Sequence, residues 1–352
     1  MITRLGENAV SLLETGRIQN PLLWSRRRVL TGGLGLSLAV HRGIARAADP
    51  SMPEIRVASL RFGSLSWLLD VIRRHNLDRD AGFRLVELSL AGSQATQVAL
   101  QAGSADLAVQ DWLWAARQRE QGGDWVFSPF SSESGGILVR ADSRLHGIDD
   151  LKQASLGVAG GPIDKSWLIF RAFAARKLGY DPQSLAPFFA APPLLNEQLN
   201  RGRLDAALTY WPFVARGEAH GGRVLLHIGD ALAGLGLPVD TPLVGYVFRS
   251  AWANGPGQPG QRFLKAAAQA QALLATSDTE WQAIRPLTGA EDDRELTLLR
   301  DAYRAGIPHH WGKAQIDAAQ SLLTILHALP GAETSGLPTR IPVGLFLAEV
   351  TL

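Results

Sequence analysis

One stretch of this chain occurs twice, and that constrains the fold more than anything else in it. Residues 100–122, LQAGSADLAVQDWLWAARQREQG, align without a gap on residues 199–221, LNRGRLDAALTYWPFVARGEAHG, at an offset of 99. Leu100, Gly103, Asp106, Ala108, Trp112, Ala116, Arg117 and Gly122 recur as Leu199, Gly202, Asp205, Ala207, Trp211, Ala215, Arg216 and Gly221. Upstream the offset becomes 100: Ser66-Trp67-Leu68 recurs as Ser166-Trp167-Leu168, each after a β-rich run, IRVASL or SLGVAG. So many identities at near-constant spacing mean duplication or shared architecture.

Each copy reads as the same succession of elements. Strands are predicted at 55–60 and 155–160, helices near 65–75 and 165–177, and second strands at 83–90 and 185–190. Short helices at 94–102 and 193–201, third strands at 105–109 and 204–209, and helices at 112–121 and 212–220 complete the pattern. Strands alternating with helices argue for parallel sheets under helical cover, so two α/β lobes are expected. Segments 135–143 and 242–250 read as strands crossing between them. After a turn-rich boundary at 253–261, helices are expected at 262–276, 278–285, 291–305 and 314–329, placed on the first lobe. The resulting division is a leader over 1–47, lobe 1 over 48–141, lobe 2 over 142–242, and a return to lobe 1 with C-terminal helices over 243–352.

The formal charge of +2 is unevenly placed. The first 47 residues hold seven of the 35 basic groups and two of the 33 acidic ones, leaving 28 against 31 in the rest. With a remainder near −3, the electrostatic case for nucleic-acid binding fails. In the leader, Arg26 to Arg28 precede a 12-residue apolar run, Val29 to Val40, too short to cross a bilayer and suited to a signal sequence. Ala45-Arg46-Ala47 supplies a cleavage pattern, with a cut expected before Ala48. Ser25 to Leu30 resembles the twin-arginine export motif; a general secretory signal with a basic start is the alternative. Either route leads to the periplasm. There is no cysteine, hence no disulfide, thiolate metal site or cysteine nucleophile.

The glycine-rich turn GGPIDKSWLIF, residues 160–170, invites a phosphate-binding reading and fails it. Asp164 and Ala159 stand where a P-loop requires glycine, and G-x-G-x-x-G is absent too. Ser64 and Asp164 occupy equivalent places and are expected to cap their helices, while Gly63 and Gly161 allow a sharp turn before each. In open α/β sheets, ligands lie beyond the carboxyl ends of the strands, beside helix N-termini. Two facing lobes would gather the turns at 63–66, 92–94, 110–112, 160–166, 191–193 and 210–211 around one cleft.

The candidate ligand-binding residues are therefore Gly63, Ser64, Ser66, Gln94, Gln110, Asp111, Trp112, Gly161, Asp164, Lys165, Ser166, Tyr210 and Trp211. Trp112 and Trp211 can wall a ligand or pack symmetrically; Trp67 and Trp167 read as core, and Asp106 and Asp205 as structural. Gln94, Gln110, Asp111, Ser166 and Tyr210 have no evident structural duty. Gln and Tyr donate to an oxyanion, Asp111 suits an amine or protonated ring, and Lys165 neutralises an anion or is a solvated helix start. The mixture fits a zwitterion such as an aminosulfonate, or an aminopyrimidine, better than nitrate. The eight histidines show no metal spacing, and G-x-S-x-G and H-E-x-x-H are absent, so no catalytic residue, metal or cofactor is expected.

The leader together with IRVASLRFGSLSW, GSQATQVALQAGSADLAVQDW, GIDDLKQASLGVAGGPIDKSW and LNRGRLDAALTYWPFVARGEA resembles the periplasmic solute-binding proteins of ABC importers. The group concerned takes nitrate, taurine, aliphatic sulfonates and thiamine-pyrimidine precursors. The resemblance implies an α/β fold of two Rossmann-like lobes with a ligand cleft between them, the type II periplasmic binding protein fold, carrying a helical C-terminal tail. It also implies a monomer that captures a small molecule for an inner-membrane ABC permease and its ATPase. A ligand sensor docking on a membrane receptor is an alternative. An enzyme on the same fold is a further alternative, but the fold's relatives that are enzymes, the thiamine-pyrimidine synthases and a sulfinate desulfinase, use cysteine, which this chain lacks.

Overall fold

The structure, a computed structural model, describes residues 52–239, 241–331 and 336–347. The expected leader and its cleavage point lie outside the described residues. Among the described residues there are ten strands: β1 (Glu54–Leu60), β2 (Arg84–Leu90), β3 (Leu107–Asp111), β4 (Trp125–Ser131), β5 (Gly136–Val139), β6 (Leu156–Ala159), β7 (Phe188–Ala190), β8 (Ala206–Thr209), β9 (Arg223–His227) and β10 (Val244–Arg249). They form two five-stranded sheets, ordered β2-β1-β3-β10-β4 and β7-β6-β8-β5-β9.

The two orders are the same motif written twice. In each sheet the first strand of a copy lies between its second and third, all parallel. The fourth place is taken by an antiparallel strand, β10 or β5, that also pairs with the edge strand β4 or β9. Helices from the repeat cover the sheets, so the central strands are apolar on both faces; LGVA of β6 and AALT of β8 are buried throughout. Helix Ser64–Arg74 turns Leu65, Trp67, Leu68, Val71 and Ile72 inward and ends on Arg73 and Arg74, as its dipole favours.

β5 belongs to the second sheet, so the first crossing comes before Gly136 rather than at the expected 141/142 boundary. The physical reason lies at Gly135, whose φ is +102° and where a Cβ would come 2.1 Å from the Thr209 carbonyl oxygen. Only glycine lets the chain pass so close to the end of β8. The return crossing has a counterpart: a Cβ on Gly245 would lie 2.2 Å from the Ser128 oxygen, beside a register shift at Val244/Gly245.

The tail also departs from expectation. Helices Pro259–Thr276 and Asp278–Thr288 pack on helix Ser64–Arg74 of the first copy. Helix Asp293–Ala305 instead packs on Trp211–Ala219, and Lys313–His327 on Lys165–Lys177, both in the second copy. The final segment then returns to β4: the Phe127 N–H donates to the Leu345 oxygen at 2.7 Å and the Leu347 N–H to the Phe127 oxygen at 3.1 Å. An amphipathic helix announces an apolar face in the sequence, but not which lobe covers it.

Candidate functional site

A cavity of about 340 Å³ lies between the two sheets, at the carboxyl ends of their parallel strands. It is small for a ligand site, sized for a metabolite rather than a cofactor. The first lobe contributes the turns after β1 (Leu60, Phe62, Gly63, Ser64), after β2 (Gly92, Ser93, Gln94) and at the end of β3 (Gln110, Asp111). The second contributes Gly160 to Lys165, Ala190 to Pro192 and Tyr210 to Phe213. The repeat therefore supplies equivalent turns from both sides. Closure is visible in side chains: the Phe62 and Phe213 rings meet edge-on at 5.5 Å, and Trp67 meets Trp211 at 5.7 Å.

Of the sequence-derived candidates, Gly63, Ser64, Gln94, Gln110, Asp111, Gly161, Asp164, Lys165, Tyr210 and Trp211 are on the wall. Ser66, Trp112 and Ser166 are not. The Ser66 hydroxyl turns back to donate to the Gly63 oxygen at 2.7 Å. Trp112 is fully buried against Phe346 from the returning tail, whereas its repeat partner Trp211 reaches the cavity. The duplicated tryptophans are thus separated by what the tail covers. Ser166 is buried behind Asp164, to whose Oδ1 its N–H donates at 2.8 Å.

Some supposed roles change. Ser64 does not cap: the N-cap is Gly63, with no side-chain hydrogen bond. Asp164 does cap its helix, Lys165–Lys177. Asp111 has a structural duty after all, capping Trp112–Glu120 through the Trp114 N–H at 2.7 Å. Gln110 is held too, donating to the Thr96 hydroxyl at 2.6 Å and accepting from Gln97 at 3.1 Å.

Arg117, Glu133, Ser134 and Gln97 also line the cavity. Arg117 is the most consequential of these. It is 6% exposed, and its Nη1 has no hydrogen-bond partner among the described residues. Burial lowers its pKa, while Asp111 and Asp164 pull it back up. Its repeat equivalent Arg216 is different: its Nε donates to Glu295 Oε1 at 3.0 Å, its Nη2 to the Thr288 oxygen. The sequence signal for Arg117 was available, since it follows the apolar run WLWAA in a helix with no polar side for a guanidinium.

Burial raises the pKa of Asp164; Lys165 counteracts this and Asp111 reinforces it. Tyr210 is pushed well above the usual phenol value by burial first and Asp164 second, and its hydroxyl donates to Asp164 Oδ2 at 3.3 Å. Lys165 Nζ stands 5.4 Å above the Tyr210 ring. The described residues that come together as a possible metal group are His220, Glu291 and Glu295, away from the cavity wall. There Arg216 already meets the Glu295 charge.

No protein-family model matches the sequence, and no curated protein matches it. Solved structures do. The alkanesulfonate-binding protein SsuA from Xanthomonas axonopodis pv. citri, bound to MOPS, is similar with a TM-score of 0.67 and 16% identity, over 86% of this chain and 100% of that one. The periplasmic aliphatic sulphonate binding protein SsuA from Escherichia coli gives 0.65 and 17%, over 86% and 94%. The periplasmic nitrate-binding protein NrtA from Synechocystis PCC 6803 gives 0.58 and 11%, over 81% and 84%. The fold is that of the periplasmic binding proteins of ABC importers, as the sequence resemblance implied.

Proposed function

We propose that the chain is the solute-binding component of an ABC importer, without catalytic activity of its own. It captures a small organic solute of the sulfonate, taurine or pyrimidine-precursor type in the periplasm and delivers it to an inner-membrane permease and its ATPase. The observation that carries this reading is the cavity whose two walls are equivalent turns of a duplicated unit, touching across the cleft at Phe62 and Phe213. Such a site closes by moving two preformed halves together, which excludes water and strengthens the few polar contacts inside. The neighbouring folds support the importer setting. Among the described residues no helix is long and apolar enough to cross a membrane, which accords with a carrier that docks on the permease.

A thermal-shift screen with alkanesulfonates, taurine, nitrate and aminopyrimidines tests the reading. A true solute at ~100 times its dissociation constant stabilises the folded state by about 2.7 kcal/mol, and small-angle scattering of the same sample should show compaction. Absence of both responses across all of these classes would count decisively against solute capture.

A further inference from the structure

We propose, resting on the capture reading above, that the solute is an organic anion whose charged end lies between Arg117 of the first lobe and Lys165 of the second. Five acidic or basic side chains, Asp111, Arg117, Glu133, Asp164 and Lys165, line the cavity. None of the five makes an ion pair within 4.0 Å of another described residue. What separates them is how the wall treats each sign.

Each carboxylate already accepts a hydrogen bond from a backbone N–H. Asp111 Oδ1 accepts the Trp114 N–H, and Asp164 accepts the Ser166 N–H and the Tyr210 hydroxyl. Glu133 Oε1 accepts the Ser134 and Gly135 N–H groups at 3.0 and 2.9 Å. Neither cation has an ion-pair partner within 4.0 Å among the described residues. Arg117 Nη1 has no acceptor among the described residues, and the neighbour of Lys165 Nζ is the face of the Tyr210 ring. Both side chains are 6% exposed. A buried guanidinium stays protonated, and although Asp111 and Asp164 lie near enough to favour its charge, its Nη1 has no acceptor of its own.

The backbone points the same way. Helices Ser64–Arg74 and Ser93–Gln101 begin at Gly63 and Gly92 with no side-chain cap, and both glycines line the cavity. Their first N–H groups add to the positive side of the site. The rest of the wall, including Leu60, Phe62, Phe130, Pro212 and Phe213, suits a short apolar body. Because the two cations come from opposite lobes, an anion between them holds the cleft shut. Arg216 has no such function, since Glu295 already pairs with it.

Titration calorimetry on the purified protein, with 1-butanesulfonate, butanoate, taurine, butylamine and 2-aminopyrimidine as probes, decides the matter. The expected result is binding of butanesulfonate and no heat from butylamine; the butanoate arm tells a sulfonate preference from general anion recognition. Arg117→Gln and Lys165→Gln should each weaken butanesulfonate at least tenfold while the ligand-free melting temperature stays near that of the parent. Should Arg117→Gln fail to fold, Lys165→Gln, on the first turn of its helix, carries the test alone. Butylamine or 2-aminopyrimidine binding in place of the anions, or parental affinity in both folded variants, would each overturn the anion assignment while leaving solute capture standing. Silence from every probe, with no scattering change for any solute class, would remove the capture reading and this assignment together.

Discussion

Arg117 and Arg216 occupy one place in a duplicated unit and have parted company. Glu295 is 1% exposed, and Arg216 gives it its countercharge. Removing that partner strands a buried carboxylate, so Arg216→Gln should lose about 3–5 kcal/mol in urea unfolding at neutral pH. Arg117→Gln breaks no ion pair and should lose less than half of that. Equal losses would mean that Arg117 also has a structural partner. Asp164 offers a second test, in which direction matters. Burial, against the pull of Lys165 and with the push of Asp111, raises it above the ordinary 3.8. The folded chain therefore holds that proton more tightly than the unfolded one. The resulting stability is fully present below the unfolded value and is lost as pH rises through the folded value. Asp164→Asn keeps a good N-cap and removes the titration. The melting temperature of the parent minus that of the variant should be larger at about pH 4 than at about pH 7.5; a flat difference would show that Asp164 is not held in an apolar setting. The residue scale is also where the sequence was least legible. Asp111 looked free because a cap depends on local backbone that composition does not show, and Trp112 looked like Trp211 because the tail that buries it lies more than 200 residues away.

At the scale of elements, the crossings are the vulnerable points. Gly135 has a left-handed φ and its missing Cβ leaves room for the Thr209 carbonyl, so Gly135→Ala combines strain with a backbone clash. A residue forced into such a position costs about 1–3 kcal/mol from the dihedral alone, and the unfolding midpoint in urea should fall accordingly. Gly103→Ala is the control: its φ is +70°, but nothing lies within 4 Å of its added Cβ, so it should lose less. If the two variants behave alike, the close approach at the crossing carries no weight. Most of the repeat's strands and helices were readable because each has its own periodicity and its own glycine punctuation. The strands that close each sheet were not. β4, WVFSPFS, carries Pro129 in its middle, which argues against a strand unless it lies at an edge, where this one is. β9, Arg223–His227, follows directly on the Gly221-Gly222 pair, and no strand was expected there. The antiparallel insertion of β5 and β10 is a tertiary choice, made by which sheet has an open edge when the crossing strand arrives.

At the scale of the whole molecule, two crossings and a tail that visits both lobes set how far the cleft can open. The Phe62–Phe213 contact is made by side chains of opposite lobes and reports that opening directly. An edge-to-face pair is worth about 0.5–1.5 kcal/mol beyond the area it buries, enough to shift a closed-to-open equilibrium by roughly two- to tenfold. If the closed form is the minor one without solute, apparent affinity falls by the same factor when the contact is lost, because only the closed fraction is competent. Phe62→Ala is the cleaner variant, since Phe213 also lies 5.2 Å beneath the Arg216 guanidinium and its loss disturbs that ion pair. The expected outcome is a two- to tenfold weaker solute, appearing as faster release with little change in the association rate. Phe62→Ala/Phe213→Ala should then be no weaker in binding than Phe213→Ala alone, because a single contact can be removed only once. Additive losses would show that each ring touches the solute on its own account, and the pair would have to be reassigned from latch to binding surface. An unchanged release rate in Phe62→Ala would instead place the closing force wholly in the solute and in the charged groups it spans.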